Sequence, residues 1–132
     1  MAMKKRKFRD QPWSKYVLLA RARHERDLEK SNQPGSLYYY DEKAADRAVW
    51  FISQLKHFDG EWAGKPFILS DWQEFDIVRP LFGWKKRSDN TRRFRYGYIE
   101  VARKNGKSQL AAAIALYLQI ADKEPGAQIY IA

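Results

Sequence analysis

The strongest constraint in this chain is a change of pattern around residue 101. Phe94-Arg-Tyr-Gly-Tyr-Ile-Glu-Val101 is rich in aromatic and β-branched residues, the composition of a strand. Ser108 to Asp122 is rich in Ala and Leu, the composition of a helix. Glu124-Pro125-Gly126 is a stop-and-turn signal, and Gln128-Ile129-Tyr130-Ile131 reads as a second strand. Strand, helix and strand in this order predict a βαβ unit and an α/β fold.

The turn between the first strand and the helix reads Val101-Ala-Arg-Lys-Asn-Gly-Lys-Ser108. A glycine-containing loop that opens a helix suits phosphate. Its backbone N–H groups point inward, and the helix N-terminus adds partial positive charge. Lys107 can reach the β- and γ-phosphates, and the Ser108 hydroxyl can sit on Mg²⁺. Val101 stands at the first glycine position of G-x-x-x-x-G-K-[ST], so Gly106, Lys107 and Ser108 carry the match. An ordinary turn with a lysine in the first helical turn is the alternative, and the tripeptide alone does not decide between them.

A chain of 132 residues that is 45% hydrophobic is enough for about one folded domain. The formal net charge of +9 and a pI near 9.8 favour a polyanionic partner, although excess lysine also serves solubility. The chain has no cysteine, which excludes disulfides and cysteine-ligated metal. His24 and His57 have no second histidine or carboxylate at ligand spacing, so no zinc site is expected. The longest apolar run, Leu110 to Leu118, is too short to span a bilayer and is expected to be a buried helix behind the sheet.

Ahead of this unit, Met1 to Asp10 carries Lys4, Lys5, Arg6, Lys7 and Arg9, a basic arm that can touch DNA or simply be solvated. Trp13 to about Ser31 is predicted helical, and Ser31-Asn-Gln-Pro-Gly35 breaks it. Asp41 can cap a second helix that runs to about His57, with Ala45, Ala48, Val49, Ile52 and Leu55 on its core face. Pro66 to Leu69 reads as a short extended run. Ser70 or Asp71 can cap a third helix from Trp72 to about Phe82, which Pro80 should kink or end. Gly83 to Arg93 reads as a turn-rich basic stretch.

Two separated stretches resemble one family. Phe58-Asp-Gly-Glu-Trp-Ala-Gly-Lys-Pro-Phe-Ile-Leu-Ser-Asp-Trp-Gln73 is similar to the segment before the ATPase core of large terminase subunits of tailed bacteriophages. Glu100-Val-Ala-Arg-Lys-Asn-Gly-Lys-Ser108 is similar to that family's deviant Walker A loop, in which the first glycine is commonly missing and a basic residue stands inside the loop. The resemblance covers roughly residues 40 to 132. It implies an ATP-driven motor that packages viral double-stranded DNA, working in the host cytoplasm with a small terminase subunit and a portal protein, as an oligomeric ring. It implies a catalytic role for Lys107 and Arg103, with Arg103 beside the γ-phosphate. Arg103, Lys104, Asn105, Gly106, Lys107 and Ser108 are expected to line the ATP site, with Ser108 on Mg²⁺. Gln73 is expected to contact adenine through N6 and N7, with Trp72 or Phe67 beside the base.

Hydrolysis in that family also needs an acidic Walker B strand. Asp122 and Glu124 lie at the far end of the predicted helix, about 20 Å from Lys107 at about 1.5 Å per residue, too far to serve. The expectation is therefore N-terminal helices followed by the first βαβ unit of a P-loop NTPase parallel sheet, truncated. Residues 1–35 form a basic arm and helix, and residues 36–132 the N-terminal portion of an ATPase domain lacking Walker B and the nuclease domain. Such a piece should bind nucleotide weakly, turn none over and be marginally stable. The alternatives are another P-loop or helicase-like ATPase, and a non-enzymatic basic nucleic-acid-binding module that uses the arm and the 85–95 cluster.

Overall fold

Ser14 opens the first helix by accepting the Val17 N–H on its hydroxyl, and α1 runs over Lys15–Ser31. The structure, a computed structural model, describes residues 13–57, 63–104, 106–123, 126 and 128–130. The basic arm with Gln11 and Pro12, Phe58 to Trp62, Asn105, Glu124, Pro125, Ala127, Ile131 and Ala132 lie outside the described residues. Helix α1 buries no residue fully and is tied down by polar contacts. Arg21 grips Asp76 with two bonds of 2.9 and 2.7 Å, Arg93 donates to Asp27 at 2.8 Å, and the Trp84 indole N–H donates to His24 Nδ1 at 3.0 Å.

After Gly35, whose φ of +80° completes the turn, the chain forms β1 (Tyr38–Tyr40). Next comes α2 (Glu42–Ser53), then a π-helical segment (Gln73–Val78) that runs directly into α3 (Arg79–Gly83) and on into β2 (Trp84–Lys86). Strands β1 and β2 pair antiparallel, with Tyr38 opposite Lys86, Tyr39 opposite Lys85 and Tyr40 opposite Trp84. The stretch expected to be turns over Gly83 to Arg93 thus opens with the end of α3 and then the strand β2. Its pairing follows from the flanking contacts: the Asp41 N–H donates to Gly83 O at 2.7 Å, and Arg93 N–H donates to Trp84 O at 2.9 Å.

The core forms where α2 meets the 73–83 helix and α4 (Lys107–Leu116). Ala48 and Ile52 of α2 pack with Val78, Phe82, Leu110, Ala113 and Tyr117, and Phe67 and Leu69 close one side. Leu110, Ala113 and Tyr117 recur at helical spacing, so α4 presents one face to this core. Helix α4 continues into a π-helical segment (Tyr117–Ala121) that carries Tyr117, and Leu116 and Ile120 on the other side are exposed, so this helical run is not the fully buried helix expected. Pro80 has no N–H to give the preceding turn and its ring crowds the carbonyl four residues back. The helix absorbs this by widening, and the Arg79 N–H reaches Glu74 O five residues earlier. Pro80 therefore widens the helix without ending it.

The expected parallel βαβ unit is not formed among the described residues. The sheet there is the antiparallel β1–β2 pair, so the architecture is mixed helix and strand, α/β in the general sense. Residues 94–101 and 128–130 carry no ladder, and Tyr96 and Tyr98 are almost fully exposed. Strand composition expresses itself only against a neighbouring strand, because packing across the ladder supplies most of the preference.

Candidate functional site

Helix α4 begins without the usual side-chain cap. Gly106, at φ +72°, is its N-cap; Lys107 is the first helical residue, and the first turn holds no acid. This arrangement is unfavourable for an isolated helix. The N-terminal N–H groups lack side-chain acceptors, and a lysine sits at the positive end of the dipole. Lys104 also adopts a left-handed backbone, at φ +65°, so the loop turns sharply twice within three residues. Arg103, Lys104, Gly106, Lys107 and Ser108 are all exposed, and among the described residues no carboxylate pairs with Arg103, Lys104 or Lys107. Asn105 lies outside the described residues.

Gln73 is brought to this loop from the third helix. It is 7% exposed, and a Cβ built on Gly106 would lie 3.5 Å from its Nε2. Its Oε1 accepts the Ser70 N–H at 3.0 Å, while Ser70 O accepts the Glu74 N–H at 2.9 Å. Gln73 is thus the returning half of a capping box on Ser70-x-x-Gln73. Among the aromatic residues expected near a base, Phe67 is buried in the core and Trp72 is half-buried.

Sequence reasoning missed His57 as a contact of this region. Its Nδ1 lies 2.7 Å from Oε1 of Gln109, on the first turn of α4, and its ring packs on Phe67 at 5.0 Å between centroids. Glutamine next to Ser108 was the available signal, but nothing in the spacing joins it to a histidine 52 residues away. Among the described residues no three His, Asp or Glu side chains come together to hold a metal.

The basic 85–95 cluster has a different character from the loop. Lys85 pairs with Asp41 at 2.8 Å, Arg93 with Asp27 at 2.8 Å, and Arg92 with Asp122. Arg93 also stacks over Tyr38 at 4.4 Å and Phe94 at 5.0 Å. Burial alone would raise the Asp41 carboxyl, but the bonds from Lys85 and from the Ala44 N–H outweigh it and hold it below its ordinary value. Burial pushes the Tyr117 phenol up, as its place in the core requires. A cavity of about 370 Å³ opens between Asp27, Gly35, Tyr38, Trp84 and Arg93, with no residue of the loop in its lining.

A helix start with no side-chain cap, exposed cations unpaired among the described residues and a buried amide beside it is an arrangement that can receive an anion. Residues 71–132 match the family model of the terminase large subunit, ATPase domain. The stretch from the start of the third helix onward is thus similar to the ATPase domain of terminase large subunits. Residues 40–70, included in the resemblance, lie outside the matched range. Comparison with curated proteins and with solved structures gives no significant match. No helix among the described residues is long and apolar enough to cross a membrane.

Proposed function

We propose that residues 102–108 bind the triphosphate of ATP with Mg²⁺, and that the chain supplies the nucleotide-binding part of a terminase large subunit, the motor that drives viral DNA into a capsid. The observation that carries this reading is the start of α4: Lys107 on the first turn, no side-chain cap, no acid, and Arg103 and Lys104 exposed beside it. That combination costs helix stability and is recovered when an anion docks. The donor set fits the ligand. Backbone N–H groups and the Lys107 ammonium suit phosphate oxygens, the Ser108 hydroxyl suits a hard cation, and Arg103 can offset charge on a transferring phosphoryl group. Gln73 lies beside the loop. Its Oε1 keeps a second lone pair and its Nε2 carries two protons, so the amide can meet adenine at N6 and N7. Bound ATP would supply the phosphoryl group whose transfer drives the motor. This chain's residues bind it, orient it and neutralise its charge. In the assembled motor the partners are double-stranded DNA, a portal ring and a small terminase subunit.

Three of the cations named for a stand-alone nucleic-acid-binding module are engaged by Asp41, Asp27 and Asp122, which weakens that alternative. The deciding experiment is calorimetry of the whole chain with ATP and Mg²⁺. Lys107→Ala should weaken binding about 10-fold or more, since a charge-assisted bond contributes about 1.5–3 kcal/mol. Unchanged affinity in that variant overturns the phosphate assignment. Sustained phosphate release by the chain alone would contradict the expectation that it binds nucleotide without turning it over.

A further inference from the structure

Two helices of this protein start with the same spacing and end differently. In Ser70-x-x-Gln73, the glutamine folds back and accepts the backbone N–H of its own N-cap residue at 3.0 Å. In Gly106-x-x-Gln109, the glutamine stands at the equivalent position, yet its oxygen is held by His57 Nδ1 at 2.7 Å. An amide oxygen only accepts, so Nδ1 carries the proton in this bond. A glutamine at the third helical position ordinarily reaches back to the N-cap N–H. Here it is turned away.

The histidine is well placed to do this. It sits at the neck of a hairpin: the His57 N–H donates to Lys65 O at 2.9 Å, the Gly64 N–H donates to His57 O at 2.7 Å, and Lys56 bridges Pro66. Its ring rests on Phe67, which is anchored in the core. The donor is therefore fixed from two sides before Gln109 meets it.

We propose that His57 is a positioning residue for the phosphate loop. By holding Gln109 it stops that side chain from capping α4 and leaves the Gly106 N–H free to face an anion. The inference rests on the phosphate reading above, and Lys107→Ala separates the two.

The test uses the whole chain with His57→Phe, which keeps the ring on Phe67 and removes the donor, and His57→Asn, whose side-chain N–H₂ lies close to the position of Nδ1. The probes are Mg²⁺-tripolyphosphate affinity by calorimetry and amide exchange of Gly106 by NMR without ligand. In His57→Phe, Gln109 folds back. Gly106 exchange slows, and tripolyphosphate binds about 3- to 10-fold more weakly, the effect of one hydrogen bond. His57→Asn restores both readouts. Adding Gln109→Ala to His57→Phe also restores affinity, because no side chain is left to fold back. Unchanged Gly106 exchange and affinity in His57→Phe, or no rescue by either second change, overturns the proposal. Where Lys107→Ala weakens tripolyphosphate and His57→Phe does not, the His57 role falls and the phosphate site stands. Where neither variant changes affinity, the phosphate site itself falls.

Discussion

Gln73→Glu separates the two roles of Gln73 in one substitution. Glutamate at the third helical position caps as glutamine does, so its carboxylate still accepts the Ser70 N–H and the start of the third helix is kept. The amide donors beside Gly106 are lost, and a negative charge takes their place at the edge of the proposed phosphate loop. At an effective dielectric of about 20, a phosphate charge bound about 8 Å from that carboxylate would be repelled by about 2 kcal/mol, roughly 30-fold in affinity. Gln73→Ala does the opposite. It removes the cap at a position only 7% exposed, costing about 1 kcal/mol and roughly 3–6 °C of melting temperature, and adds no charge. Calorimetry with ATP and GTP, together with thermal melts, measures all of this. The Glu variant should melt with the parent and bind ATP about 30-fold more weakly. The Ala variant should melt earlier, and its ATP-over-GTP ratio should fall toward one. A Glu variant that binds ATP like the parent refutes the placement of Gln73 beside the phosphates. An Ala variant with an unaltered ratio removes its adenine role.

Two further outcomes test the frame that holds the site. Gly83→Ala should cost about 1–3 kcal/mol, because its Cβ would fall 2.3 Å from the Tyr40 ring, which is wedged against His24 and Trp84; an unshifted thermal midpoint would show that Tyr40 can give way. For Asp41, the folded carboxyl titrates below its ordinary value of 3.8, so its contribution is fully present above that value and is lost as pH falls through the folded pKa. Melting temperatures taken between about pH 6 and pH 2.5 should therefore fall more steeply for the parent than for Asp41→Asn, and parallel curves would show that the Lys85 pair and the α2 cap do not matter.

The helices were legible because their signals are local. Asp41 caps α2 as its position suggests, Ser70 opens the third helix, and the Ala- and Leu-rich run after Gly106 is helical. Helix ends were less legible. Helix α2 stops at Ser53, short of His57, because the chain turns there to bridge Lys56 with Pro66. The β1–β2 pair was not legible at all. Tyr-Tyr-Tyr and Trp-Lys-Lys show no alternation of apolar and polar residues, and their pairing is decided by neighbours such as Asp41 and Gly83. Residues 94–101 show the converse, with strand composition and no ladder partner among the described residues. At the candidate site, Gly106, Lys107 and Ser108 could be read directly and Gln73 by family resemblance. The contact of His57 with Gln109 could not, since it depends on a hairpin and a core aromatic holding the ring in place.

Placement of charge explains why a net excess of cations does not by itself locate a binding surface. Across the body of the protein, Arg21, Arg79, Lys85, Arg92 and Arg93 each meet a carboxylate, and each pair joins segments distant in sequence or braces a helix turn. These cations act as internal ties, and pairs this sheltered hold elements in register more than they attract ligands. Arg103, Lys104 and Lys107 are different in kind. They share a loop with a left-handed lysine and a left-handed glycine, lie open to solvent, and sit where the helix dipole opposes positive charge. Replacing Lys107 by a neutral or acidic residue should therefore stabilise the free chain slightly while weakening triphosphate binding. Opposite signs for stability and affinity at one residue mark a group placed for a ligand, whereas replacing a structural tie such as Arg21, which is bonded to Asp76, lowers stability.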